Sequence, residues 1–145
     1  MSAEDVQQLV QARMAQAVET LADAKALLTL ERSGRSIVNR SYYALFYGVL
    51  ALLQTIRRIP RKHQGAISLF DREFVHTGLL SKDLSADLHR LFETRQQDDY
   101  LRLEPVDLAE ARAAIETAER FLQAIHAYLT RIGYHLDDLD VTRGE

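Results

Sequence analysis

Apolar positions recur at steps of three and four along most of the chain, the spacing that lines one face of an α-helix. Val6, Leu9, Val10, Met14, Ala17, Leu21, Ala24 and Leu28 form the first such stripe and predict a helix over about residues 3–32. Ser2, with Asp5 three residues on, resembles a capping box in which Asp replaces the usual Glu. Gly34 is the expected stop, because glycine tolerates the left-handed turn that ends helices.

A second helix is predicted from about Ser36 to Arg58, closed by Pro60. Its interior, residues 42–53, is apolar nearly all round, which at this length marks a helix buried on most sides. No apolar run approaches the ~18 residues of a membrane span. A shorter third helix, about Lys62 to His76, carries Ala66, Ile67, Phe70 and Phe74 on one face and ends at Gly78. Ser81 caps a fourth, with Leu84, Leu88, Leu91 and Phe92, that reaches to near Tyr100. Pro105 marks a turn and stands near the start of a fifth helix, whose stripe runs from Leu108 to Leu129 and stops at Gly133. With no alternating strand pattern, repeat or linker, the expectation is all-α: an antiparallel four-helix bundle with an additional short helix. One domain is expected over residues 1–132, followed by an acidic tail over 133–145.

Composition narrows the chemistry. A chain without cysteine has no disulfide, no thiolate zinc site and no cysteine nucleophile. The N-terminal residues are acidic and lack the basic-then-apolar order of a secretory signal, so a soluble, cytoplasmic protein is expected. Glu-x-x-His and glycine-rich phosphate loops are absent, and His76, His89, His126 and His135 show no ligand-like spacing. Asp83 with Asp87, and Glu116 with Glu119 and Arg120, read as solvated charge. No metal and no cofactor is therefore expected.

The net charge of −3 conceals an uneven distribution. Residues 32–70 hold seven basic side chains (Arg32, Arg35, Arg40, Arg57, Arg58, Arg61, Lys62) and no acid, in a chain with 21 acids. Such a block suits an anion-binding face or one half of a charge-complementary interface. Within it, helical spacing puts Arg40, Tyr43 and Tyr47 on one stripe and Asn39, Tyr42 and Phe46 on the next. Two readings fit: tyrosines filling the core beside a snorkelling arginine, or a basic, aromatic wall for phosphate and bases. The cluster Arg57, Arg58, Arg61 and Lys62 is either an RNA-backbone contact or a solvated helix end.

Four motifs in order resemble one family. They are Asn39-Arg40-x-Tyr42-Tyr43-Ala44-x-Phe46, His63-x-Gly65, Arg95-x-x-x-Asp99-Tyr100, and Ala118-Glu119-Arg120-Phe121. Together they are similar to the HEPN domain family, in its small stand-alone bacterial and archaeal branch, over about residues 5–130. The resemblance implies a homodimeric helical bundle, often paired with a minimal nucleotidyltransferase in a toxin–antitoxin system. It also implies metal-independent RNase activity in active members, through an Arg-x(4–6)-His motif joined across the dimer. Arg95 matches the motif arginine, but Tyr100 stands where the histidine belongs, and Tyr is a poor base at neutral pH. The candidate catalytic residues are therefore Arg95, His63, Asp99 and Tyr100, with Arg40, Tyr43, Tyr47, Arg57, Arg58, Arg61 and Lys62 binding RNA or nucleotide. The alternative is a non-catalytic, nucleotide-binding or interaction module for a nucleotidyltransferase partner.

Overall fold

A computed structural model describes the protein over residues 1–100 and 103–136, and over 98–100 for the backbone alone. Five α-helices are present: α1 (Ala3–Thr29), α2 (Gly34–Thr55), α3 (His63–Phe70), α4 (Lys82–Tyr100) and α5 (Leu108–Arg131). A π-helical turn, Asp71–Val75, continues α3. Among the described residues there is no strand, and no helix is long and apolar enough to cross a membrane. The expected all-α bundle is the observed one.

α1, α2 and α5 pack on one another, and α4 and α3 lie against the remaining face of α2. The stripe Val6, Val10, Met14, Ala17, Leu21 and Ala24 is buried, as its spacing predicts, whereas Leu9 is exposed. α2 contributes the most deeply buried set, including Ile37, Tyr42, Leu45, Val49, Leu52 and Leu53. Gly48 lets α2 and α5 approach closely: a Cβ there would lie 2.7 Å from Leu122 Cδ2. The capping box on α1 forms as expected, with Ser2 Oγ accepting from the Asp5 N–H at 3.1 Å and the Asp5 carboxylate accepting from the Ser2 N–H at 3.0 Å. The Ser2 backbone N–H, and after it the Ser2 hydroxyl, hold the Asp5 carboxyl below its usual range, helped by the charge of Arg57.

Helix ends depart from the sequence expectation. α1 stops at Thr29, and the left-handed residue after it is Glu31 (φ 52°), not Gly34. The Glu31 N–H donates to Leu28 O and the Arg32 N–H to Leu27 O, each at 2.9 Å, a Schellman closure without glycine. Ser33 then caps α2, and Gly34 is its first residue. α2 ends at Thr55, three residues before the expected Arg58, because Arg57 (φ 59°) closes it in the same way. Gly34 serves a close approach instead: a Cβ there would stand 2.2 Å from the Val106 carbonyl oxygen, in the connection before α5. Gly78 and Gly133 do take the left-handed conformation expected of them (φ 82° and 109°).

Two charged contacts tie elements together, and one of them engages Glu119, which the sequence pattern assigns to solvent. Lys25, buried on α1, forms an ion pair at 2.7 Å with Glu119 on α5. Asp71, at the start of the π-turn, accepts from Ser85 Oγ and contacts His89 Nε2, both at 2.6 Å, which ties the turn to α4. Residues 134–136 fold back rather than leaving the bundle. Gln7 exchanges two 3.1 Å hydrogen bonds with the backbone of His135, and Leu136 is buried. The rest of the expected tail, 137–145, lies outside the described residues.

Candidate functional site

The middle of α2 carries a row of aromatic side chains because its sequence places Tyr42, Tyr43, Phe46 and Tyr47 one turn apart. Tyr42 is buried at the α2–α4 contact, where Phe92 packs 5.8 Å from its ring. Tyr43 and Tyr47 are half-buried, with ring centroids 6.0 Å apart.

His63 opens α3 and stacks on Phe46 at 4.0 Å, with the rings 20° from parallel. Phe46 lies two and a half turns before the end of α2. The connection over 56–62 therefore runs back about 13 Å along that helix. His63 thus packs against the middle of α2, away from the basic residues at the end of that helix. Its Nδ1 is 2.8 Å from the Tyr42 hydroxyl. Burial lowers the His63 pKa and the nearby Arg95 charge lowers it further, so the imidazole is neutral at pH 7. Burial also holds the Tyr42 phenol protonated far above its ordinary range, with Arg95 opposing.

Arg95, one turn beyond Phe92 on α4, completes the cluster. Its guanidinium carbon is 5.5 Å from the Tyr42 ring centroid and 5.4 Å from that of Tyr43, and Nη2 donates to the Tyr43 hydroxyl at 3.3 Å. Arg40 lies 5.2 Å from the Tyr43 centroid, so a single ring carries two guanidiniums. Asn39 Oδ1 fixes Arg40 by accepting from both Nε (3.3 Å) and Nη2 (2.9 Å). The result is a half-exposed surface of two arginines, a neutral imidazole and aromatic faces. These are the donors and stacking partners that suit a phosphate and its bases.

Of the residues chosen from the sequence, Arg40, Tyr43, Tyr47, His63 and Arg95 are brought together. Arg57 is directed elsewhere: it donates to the Met1 carbonyl and lines a separate cleft with Thr55, Gln7 and Tyr134. Arg58, Arg61 and Lys62 are exposed on the connection before His63. Asp99 and Tyr100 stand in the last turn of α4, and their side chains lie outside the described residues. Tyr42, Phe46 and Asn39 were not on the candidate list, although each belongs to the α2 motif; their partners become visible only when α3 and α4 are placed. Among the described residues no cluster of three or more His, Asp or Glu could hold a metal ion.

An all-α bundle whose second, third and fourth helices bring together this arginine–tyrosine–histidine cluster is the class that fold and site define. The family profile of the HEPN domain matches residues 10–128, and the chain belongs to that family. A UPF0332 protein of Thermotoga maritima is 46% identical over 107 residues, covering 74% of this chain and 80% of the relative. Two proteins of Methanocaldococcus jannaschii named as candidate toxins are also similar. One is 33% identical over 128 residues, 88% of this chain and 94% of its own length. The other is 32% identical over 108 residues, 74% of this chain and 69% of its own.

Proposed function

We propose that the protein is a toxin-type HEPN protein that acts on RNA as a homodimer in the cytoplasm, with the Arg95–Tyr43–His63 surface receiving a phosphodiester. The observation that carries the reading is the packing of Arg95 against Tyr42 and Tyr43, in one cluster with a neutral His63. In metal-independent RNA cleavage the 2′-oxygen attacks phosphorus, its proton passes to a base, and the 5′-oxygen leaves as the P–O5′ bond breaks, taking a proton from water. His63 fits the base when the Tyr42 oxygen accepts from Nδ1–H, which frees the Nε2 lone pair. Arg95 and Arg40 supply positive charge where the phosphorane gains negative charge.

The test is incubation of the purified protein with total RNA or tRNA and analysis of the product ends. Expected are 2′,3′-cyclic phosphates, loss of cleavage in Arg95→Ala and a fall of about 100-fold or more in His63→Ala. Cleavage that Arg95→Ala leaves unchanged, or no cleavage by the wild type, overturns the RNase reading.

A second reading is favoured by position 100, where Tyr occupies the place of the motif histidine. Here the bundle is a non-catalytic or nucleotide-binding partner of a minimal nucleotidyltransferase, and Tyr100 or a neighbouring tyrosine accepts a nucleotidyl group. An intact-mass increase after incubation with such a transferase and ATP supports it; an unshifted mass removes it.

A further inference from the structure

Beside the cluster, between the C-terminal end of α1 and the first turns of α2, lies an open cleft of about 480 Å³ lined by Leu27, Arg35, Ser36, Asn39 and Arg40. Apart from Leu27, every lining side chain is polar or cationic, and no carboxylate lines the cleft. The one strong acceptor among these side chains is already engaged, because Asn39 Oδ1 takes two N–H bonds from Arg40. That bond pattern fixes the amide, so Asn39 has its NH₂ donors left to offer. Arg40 has five N–H groups and commits two to Asn39, so it retains donors as well. Arg35, which also lines the cleft, donates from Nη2 to the Glu104 carbonyl at 3.5 Å. A cleft walled by donors and positive charge takes an anion.

Arg40 is shared. It lines this cleft and also lies on the Tyr43 ring that carries Arg95. We propose that the Arg35–Ser36–Asn39–Arg40 cleft is a second phosphate subsite, so that successive phosphates of one single-stranded RNA lie along α2, one here and one at Arg95. The inference rests on the RNA reading of the Arg95 cluster and adds a binding track along α2 to it.

The test uses side-chain NMR signals of the full chain, titrated separately with a four-nucleotide oligouridylate, ATP and inorganic pyrophosphate. The Asn39 amide and Arg35 Nε signals are expected to move with the oligonucleotide. Asn39→Ala should weaken its binding about tenfold. Arg35→Gln, which leaves the Arg40–Asn39 bonds intact, should lower the salt dependence by about one released counterion. If the oligonucleotide moves the His63, Arg95 and Arg40 signals but leaves Arg35 and Asn39 unmoved, the subsite is wrong and the RNA reading stands. Pyrophosphate or ATP shifting Asn39 at lower concentration than the oligonucleotide overturns the RNA assignment and leaves a nucleotide-phosphate site. No movement with any of the three removes both.

Discussion

Tyr42 and His63, from different helices, meet hydroxyl to Nδ1 at 2.8 Å, and Arg95 lies against the Tyr42 ring at 5.5 Å. The charge of Arg95 adds to burial in lowering the His63 pKa below its ordinary value of about 6.5. Replacing Arg95 with Ala removes the second cause and should raise that pKa toward 6.5, as read from the His63 ring protons by NMR. An unmoved or lowered value would show that Arg95 does not act on the imidazole.

The same shift has a consequence for stability. A histidine whose folded pKa is below its unfolded one binds fewer protons in the native state. Its contribution is therefore fully present above about pH 6.5 and declines as pH falls from there through the folded value. His63→Gln should flatten the pH dependence of urea unfolding in that acidic window and leave it unchanged above pH 7.

Gly34 meets the Val106 carbonyl so closely that no side chain fits between α2 and the connection before α5. Gly34→Ala should destabilise the fold by about 1–3 kcal/mol, the usual cost of overpacking against backbone. The midpoint of urea unfolding measures it. Gly48→Ala should cost less, because its nearest obstacle is the flexible end of Leu122.

Element type was legible because 3.6-residue periodicity survives in all five helices, while the end of α1 was misplaced for a specific reason. The rule that glycine terminates helices assigned the left-handed residue to Gly34, but Glu31 adopts it, and a non-glycine residue there leaves no mark in sequence. Arg57 hides the end of α2 in the same way. At the site, Arg95 and His63 were found through the family-like motifs, but their contact was not. Nothing in residues 56–62 states that the chain doubles back along α2 and brings His63 onto Phe46. Lys25 was passed over as a lysine, although it lies four residues after Leu21 and next to the buried stripe.

Glu31 holds a conformation that disfavours a side chain by about 1–2 kcal/mol, with its backbone bonds already those of a glycine closure. Its side chain is exposed. Glu31→Gly should therefore stabilise the protein, by up to about 1 kcal/mol once the added freedom of the unfolded chain is counted. A lower thermal midpoint would show that the carboxylate, and not the backbone, matters there.

Lys25 and Glu119 give the sharpest test of what holds α1 to α5. The ammonium is buried while the carboxylate is a quarter exposed, so the two partners do not carry equal costs. Glu119→Ala leaves a buried positive charge without its carboxylate and should cost about 2–4 kcal/mol, somewhat below a fully enclosed pair because water reaches the Glu119 side. Lys25→Met removes the charge that burial penalises and keeps most of the apolar stem, so it should cost less than Glu119→Ala. In Lys25→Met/Glu119→Leu both charges are gone, and stability should return to within about 1 kcal/mol of the wild type. A double-mutant cycle of Lys25→Met, Glu119→Leu and the two combined, measured by urea unfolding, separates the pair from its packing. Additive losses would mean that the 2.7 Å contact contributes no coupling between α1 and α5.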